Sequence, residues 1–361
     1  MTIAIEAERA NNPVKTGVEH YAKQLILNLA KIDRVNFYIL YLRTQPENWF
    51  LELPSNFKIK VMPFPLFWTQ LRISWEMLLH PVDVLFIPAS ALPLVHPKKS
   101  FVTIHDIAWK LYPDSFTWFM RNFLDWSTGF AVKRAAGIIA VSQSTKKDLV
   151  KFYGVAESKV SVVHHGYESS QPSSASSQLP TILPERYVLF LSTLQPRKNL
   201  EGLIDAFKQL KKENPELSQK LVVVGKPGWM FMRIMEKINS NKDNVIYLNH
   251  LKDAARLEVL RKADLLVLPS FYEGFGMQVL EAFAFNVPVA TSNISSLPEV
   301  AGDAAIYFNP YEPTEIKNSI KAVLLDKSLA ERLKENGKKR LANFSWEKCA
   351  RETLEILTKM T

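Results

Sequence analysis

Cysteine is almost absent: Cys349 is the one thiol among 361 residues, so no internal disulfide can form and stability must come from packed apolar cores. Its setting, Trp346-Glu347-Lys348-Cys349-Ala350, reads as an ordinary helix, which favours a buried thiol over a nucleophile. No basic segment followed by an apolar one opens the chain; residues 1–8 go straight into an alternating strand. The expectation is therefore a cytoplasmic protein. Long apolar runs are missing too. The stretch 82–95 carries Asp83 and is broken by Pro88 and Pro93, short of the roughly 20 residues a bilayer span needs. A G-x-G-x-x-G fingerprint fails because Val279 stands where a third glycine would follow Gly274 and Gly276, and no P-loop occurs. There is no Asp-x-Asp; Glu6-Ala7-Glu8 comes nearest, at a strand end without partnering ligands. His164 and His165 are adjacent, and neighbours in an extended strand point to opposite faces. Neither a cofactor nor a bound metal is expected.

What is present in quantity is ordinary globular material, 47% hydrophobic and 22% charged, in a chain long enough for two cores. The net charge of +9 is spread, with +4 on residues 1–185 and +5 on residues 186–361. A nucleic-acid partner would call for a basic stripe or a stacking module, and neither is visible. Anionic small molecules and anionic lipid surfaces remain natural partners.

Short apolar runs recur at 3–7, 36–41, 58–62, 84–87, 101–104, 137–141 and 160–163, then at 187–191, 221–224, 245–248, 265–268, 287–290 and 305–308. Helical patterns such as 17–30 lie between several of them. Strand and helix in alternation predict an α/β chain of parallel sheets covered on both faces. A Ser- and Pro-rich stretch at 169–184 divides the runs. It separates an N-terminal domain, 1–168, from a C-terminal one, 185–344, with a cleft expected between them. The amphipathic segment 345–361 is expected to pack back toward the first domain.

The densest chemistry follows the run 265–268: Pro269-Ser270-Phe271-Tyr272-Glu273-Gly274-Phe275-Gly276-Met277, then Glu281. Gly274 and Gly276 remove Cβ atoms where a helix opens, so backbone N–H groups and the positive helix end can face an anionic or hydroxyl-rich ligand. At about 1.5 Å rise per residue, Glu273 and Glu281 lie roughly 10 Å apart, far enough to hold two parts of one long ligand. The plain alternative is a capping Glu273 and a solvated Glu281. After the run 187–191, Gln195-Pro196-Arg197-Lys198-Asn199-Leu200 sets two cations at a helix start, suited to a diphosphate or simply solvated. His105-Asp106 follows the run 101–104, and Gly17 opens the first helix, each weak evidence alone.

Together these residues resemble glycosyltransferase family 4, retaining enzymes of the GT-B fold with two Rossmann-like doubly wound domains. The likeness runs from Gly17 and Tyr21 to Phe344-Ser345-Trp346, and its most specific element is Glu273 with Glu281 inside Pro-Ser-x-x-Glu-Gly-Phe-Gly. The His105-Asp106 turn, Val141-Ser142, Arg197-Lys198-Asn199-Leu200, Gly225-Lys226-Pro227-Gly228-Trp229 and Leu297-Pro298-Glu299-Val300 support it.

The resemblance implies a nucleotide diphosphate sugar as co-substrate, no metal, and a saccharide or glycolipid acceptor. It implies that Glu281 holds the ribose, that Arg197 and Lys198 neutralise the diphosphate with amides near Gly17, and that Glu273 and the backbone of Gly274, Phe275, Gly276 and Met277 hold the donor sugar. His105 approaches the transferred sugar, and the base falls near residues 248–251, ending at Leu251. The turns look most like mannosyltransferase members, so GDP-mannose is the first donor to try and polysaccharide synthesis the expected setting. The family's pattern departs at Ser192-Thr193, where many relatives carry a basic residue, at the single glycine of the first loop, and at Asn286 in place of a common glycine. Aromatic residues in 63–68 and 116–121 are core, or they seat a lipid-linked acceptor at the inner face of the cytoplasmic membrane, as a peripheral protein would. A nucleotide-sugar 2-epimerase and a non-catalytic nucleotide-sugar-binding scaffold stay open as alternatives.

Overall fold

The computed structural model describes residues 1–13, 17–167 and 183–359, so most of the Ser/Pro-rich stretch 169–184 and the three residues before Gly17 lie outside the described residues. The chain divides into two compact units: unit 1 comprises Met1–Leu111, Thr117–Gly166 and Phe344–Thr361, and unit 2 comprises Tyr112–Phe116 and Tyr167–Asn343. The short piece 112–116 thus departs from an N-terminal domain spanning 1–168. Within unit 2 the Tyr112 hydroxyl donates to the Phe271 carbonyl at 3.0 Å and its ring stacks on Phe271.

Unit 1 is built on seven strands, β1 (Thr2–Glu6), β2 (Phe37–Leu42), β3 (Phe57–Val61), β4 (Val84–Ile87), β5 (Ser100–Ile104), β6 (Gly137–Ala140) and β7 (Val160–Val162). They pair in the order β3-β2-β1-β4-β5-β6-β7, and every pairing is parallel. β4, β5 and β6 are buried along their whole length, because helices cover both faces and no residue meets water. The helix Gly17–Ile32 turns Tyr21, Leu25, Ile26 and Leu29 inward at helical spacing. Against it lies the helix Trp346–Lys359, whose Trp346 ring centroid is 6.2 Å from that of Tyr21.

Unit 2 repeats the plan with β8 (Tyr187–Leu191), β9 (Lys220–Val224), β10 (Val245–Leu248), β11 (Leu265–Leu268), β12 (Val289–Ser292) and β13 (Ala305–Phe308) in the order β10-β9-β8-β11-β12-β13. β12 begins two residues later than the apolar run suggests. Pro288 has no N–H to offer, and its carbonyl already accepts from Leu266 at 3.0 Å, so the two-way ladder starts at Val289. The helix Leu200–Glu213 buries Leu203, Ile204, Phe207 and Leu210 in the core, each contributing about 2 kcal/mol of apolar burial. Asn286 adopts φ 55°, a left-handed turn that asparagine tolerates.

Candidate active site

In unit 2 the strand succession reverses between β8 and β11, which pair in parallel, and this switch point is where an open α/β sheet presents a crevice at its carboxyl ends. Two loops leave those ends, residues 192–199 and 269–276. The first is fastened to the loop after β9 by bonds from Leu194 N–H to the Lys226 carbonyl and from Gly228 N–H to the Leu194 carbonyl, both 3.0 Å. A Cβ on Gly225 would stand 1.8 Å from the Ser192 carbonyl oxygen, so only glycine permits this approach. The chain then makes the short turn Pro196–Lys198 and enters the helix through Asn199, at φ 54°, whose side-chain amide donates to the Pro310 carbonyl at 2.7 Å.

The second loop ends at Gly276, which precedes the helix Met277–Ala284 with φ 97°, a conformation that strains any residue with a Cβ. A Cβ there would also come within 2.8 Å of the Leu297 side chain. The Phe271 N–H donates to the Arg197 carbonyl at 2.9 Å, joining the two loops.

Across that junction the charges meet. Lys198 Nζ donates to Glu273 Oε1 at 2.5 Å, Ser270 Oγ donates to the same oxygen at 2.8 Å, and Arg197 Nη1 stands 3.8 Å from Glu273 Oε2. Lys198 and Glu273 are both buried. Burial alone would raise the Glu273 carboxyl, but Lys198, then Arg197, with hydrogen bonds from Lys198 and Ser270, outweigh it and hold the group below the usual carboxylate range. Arg197 Nη1 also donates to the Tyr272 carbonyl at 2.9 Å, fixing the guanidinium in place.

Further predicted positions also lie in unit 2. Glu281, on the helix Met277–Ala284, is neither solvated nor alone: Arg256 binds both its oxygens, Nη1 to Oε2 at 2.7 Å and Nη2 to Oε1 at 2.9 Å. Phe275 is buried, Gly274 and Met277 are half-buried, and Leu251 stands in the loop between β10 and the helix Asp253–Arg261.

Gly17 and His105 belong to unit 1. Gly17 begins its helix with nothing within 4 Å of where a Cβ would stand. His105 follows β5, and its Nε2–H donates to the Pro88 carbonyl at 3.0 Å; a carbonyl only accepts, so the proton is on Nε2. Burial lowers its pKa below the ordinary histidine value against the pull of that bond and of Asp106, leaving a neutral ring at pH 7. The Tyr21 ring meets it edge-on at 4.9 Å.

The sequence pattern of the glycosyl transferases group 1 matches residues 175–340, and that of glycosyltransferase family 4 matches residues 15–171. The chain belongs to glycosyltransferase family 4. This glycosyltransferase is 28% identical over 266 residues to the O-antigen chain mannosyltransferase B of Escherichia coli, covering 71% of this chain and 69% of that one. It is 29% identical over 233 residues to the O-antigen chain mannosyltransferase RfbU of Salmonella typhimurium, covering 64% of this chain and 62% of the relative. Among solved structures, sucrose-phosphate synthase from Thermosynechococcus elongatus aligns with a TM-score of 0.74 at 17% identity, covering 100% of this chain and 99% of that one. Anabaena HepE, solved with UDP and glucose, aligns at 0.72 and 19%, covering 99% and 100%. At such identities the likeness is one of fold, and the fold is GT-B.

Several further groups that the sequence does not mark as functional shape this candidate site. Ser295, at φ 61°, accepts the Glu273 N–H at 3.1 Å and donates to the Glu273 carbonyl at 2.6 Å. Ser296 donates to the carbonyls of Glu273 at 2.9 Å and Phe275 at 3.0 Å. The two hydroxyls clamp the turn that carries Glu273. They directly precede the quoted Leu297-Pro298-Glu299-Val300, a pair of small polar residues in a turn being the only signal. Arg256 gave none.

Proposed function

We propose that this glycosyltransferase moves a hexose, with retention of configuration, from a nucleoside diphosphate sugar to a saccharide or lipid-linked saccharide, GDP-mannose being the first donor to test. The observation that carries the reading is Arg197 and Lys198 gathered on Glu273 at the β8/β11 switch point, beside the start of the helix Met277–Ala284. On this reading the diphosphate draws on the two cations, sharing Lys198 with Glu273. The sugar C1–O bond breaks with its electron pair going to the phosphate oxygen, the acceptor oxygen bonds to C1 on the same face, and the acceptor proton passes to that phosphate oxygen. Fixed cations and amides meet the charge as it develops, the largest catalytic term available to such a site. Glu281 takes the ribose, Glu273 and the backbone of 274–277 take the sugar hydroxyls, and His105 is assigned as a sugar contact. With two cations in place the reading needs no metal. The relatives named as O-antigen mannosyltransferases support mannose and polysaccharide synthesis.

Calorimetric titration of GDP, UDP, ADP and dTDP in EDTA, against wild type and Arg197→Ala/Lys198→Ala, tests the site. One nucleotide should bind wild type and be lost in the double variant. The anomeric configuration of the product, read by NMR, then tests retention, and an inverted product would overturn it.

The acceptor side of the proposal is a bilayer surface. No helix among the described residues is long and apolar enough to cross a membrane. Unit 1 nevertheless exposes Phe67, Leu71 and Trp75 on one segment and Trp118, Phe119 and Trp126 on the helix Trp118–Arg134, with Trp118 at 76%. Rings adjoin along that helix from Phe119 through Phe123 and Trp126 to Phe130, and Phe67 meets Phe123 at 6.2 Å, so the two segments form one surface. Arg121, Lys133 and Arg134 lie on these segments, while their acids, Glu76 and Asp125, are paired within the protein, Glu76 with Lys60 and Arg72 and Asp125 with Lys110. Amphipathic aromatics with uncompensated cations suit an anionic headgroup layer. Flotation with vesicles of phosphatidylcholine alone or with phosphatidylglycerol should show binding to the anionic vesicles only, weakened by Trp118→Ser/Phe119→Ser. Absence of binding, or indifference to both charge and substitution, rejects the membrane reading while leaving the donor site standing.

A further inference from the structure

The Arg256–Glu281 pair joins two neighbouring elements of unit 2, the helices Asp253–Arg261 and Met277–Ala284, and its geometry is a full fork. Both guanidinium nitrogens meet both carboxylate oxygens from one edge, the strongest arrangement these groups make. The side chains are only 23% and 15% exposed, so the pair is held largely out of water. On the proposed reading Glu281 binds the ribose, and that assignment meets a difficulty in this pair. A vicinal diol also presents two donors side by side and needs the same edge of the carboxylate. Each oxygen keeps a second lone pair, but these diverge on opposite sides and cannot both serve one diol.

Arg256 has a second seat. Its Nε is 3.6 Å from Asp253 Oδ1, one turn earlier on its own helix, and Asp253 is 85% exposed. The same helix follows the loop that holds Leu251, so the element after the loop assigned to the base carries the arginine paired with the carboxylate assigned to the ribose.

We propose that Arg256 is a competitive latch on the donor site: it competes with the ribose diol for Glu281, and a nucleotide binds by exchanging the guanidinium fork for its two hydroxyls while Arg256 moves to Asp253. The exchange keeps two donors on Glu281 throughout, so the buried carboxylate is never left bare. A nucleotide lacking the diol cannot make the exchange and must leave the latch closed. The latch therefore lowers affinity for every ribonucleotide and narrows its advantage over a nucleotide without the diol, which leaves the fork intact. This rests on the reading of Glu281 as the ribose ligand.

The test compares GDP and UDP with their 2′,3′-dideoxy counterparts by titration calorimetry, on wild type, Arg256→Leu, Arg256→Lys, Asp253→Asn and Glu281→Gln. Removing the competitor in Arg256→Leu should raise the ribo-over-dideoxy preference by about tenfold, the scale of one charge-assisted contact. Arg256→Lys, a cation without the fork, should fall between Arg256→Leu and wild type. Asp253→Asn removes the second seat and should weaken the ribonucleotide a few-fold, leaving the dideoxy form unchanged. Should Arg256→Leu not fold, the Lys and Asn variants carry the same comparison. A preference that falls or stays level when Arg256 is replaced overturns the latch and makes Arg256 a support for Glu281. If Glu281→Gln leaves the preference unchanged, or neither nucleotide binds wild type, the donor-site reading itself fails and the latch with it.

Discussion

Glu6 in unit 1 and Glu273 in unit 2 are almost equally buried, at 4% and 7% exposure, and they have opposite chemistry. Glu6 ends β1. Burial raises its pKa to about 7, Arg9 opposes that, and the carboxylates of Glu8 and Glu19 reinforce it. Arg9, half exposed and 3.5 Å from Glu19, is the strongest influence opposing burial and still leaves the Glu6 carboxyl raised. Glu273 is also penalised by burial but has Lys198 at 2.5 Å and Arg197 beside it, and its pKa is held below the usual range. Burial sets the cost of a charge, and the nearest partner decides whether the charge survives. Unit 2 holds ionised groups at its switch point, as a phosphate-handling site requires, while unit 1 offers the neutral ring of His105.

The comparison can be broken most severely at the cations. Arg197→Ala/Lys198→Ala should lower kcat for sugar transfer by about a hundredfold or more, the scale seen when fixed charge stabilisation is removed; a loss below tenfold would sink the assignment. Next in size is stability. Lys198→Met leaves Glu273 buried without its partner and should cost about 3 kcal/mol in urea unfolding, most of it recovered when Glu273→Gln is added. Because the folded pKa of Glu273 lies below its unfolded value near 4.5, its contribution is present above that pH and lost as pH falls through the folded value. Lys198→Met should move that acid loss upward in pH.

Glu6 reverses the sign. Its folded pKa of about 7 lies above the unfolded 4.5, so its contribution is full below pH 4.5 and is lost as pH rises through 7. Unfolding free energies of wild type and Glu6→Gln should therefore diverge between pH 5 and pH 8 in favour of the glutamine variant, and parallel curves would show that Glu6 does not titrate there. The smallest effect is expected at the serine clamp. Ser296→Ala removes one hydroxyl shared by two carbonyls and should cost about 1 kcal/mol, with KM for the donor rising a few-fold at nearly constant kcat. An unchanged KM would make Ser296 purely structural.

Strands were the most legible part of the sequence, because a buried parallel strand is a local property: 84–87, 187–191, 245–248, 265–268 and 305–308 are strands over those same residues. The site was legible where one short segment holds its parts, as in Arg197-Lys198 and in Glu273 through Gly276. It was not legible where two distant segments meet. Arg256 looks like any helix-surface arginine until the fold brings Glu281 to it from 25 residues away. Ser295 and Ser296 clamp Glu273 only because Ser295 adopts a left-handed backbone, which its residue type does not announce.

Unit 1 is also discontinuous in a way that bears on how the protein is made. The helix Gly17–Ile32 is synthesised well before its cover, the helix Trp346–Lys359, which comes about 180 residues after the rest of unit 1 ends at Gly166. A Cβ on Gly166 would come within 2.1 Å of the Trp346 backbone nitrogen, so the fit between these segments is close once it forms. At a translation rate of about 5–20 residues per second, the nascent chain holds an uncovered apolar helix for roughly ten to forty seconds while unit 2 is being made. That interval is when a ribosome-associated chaperone would find this protein.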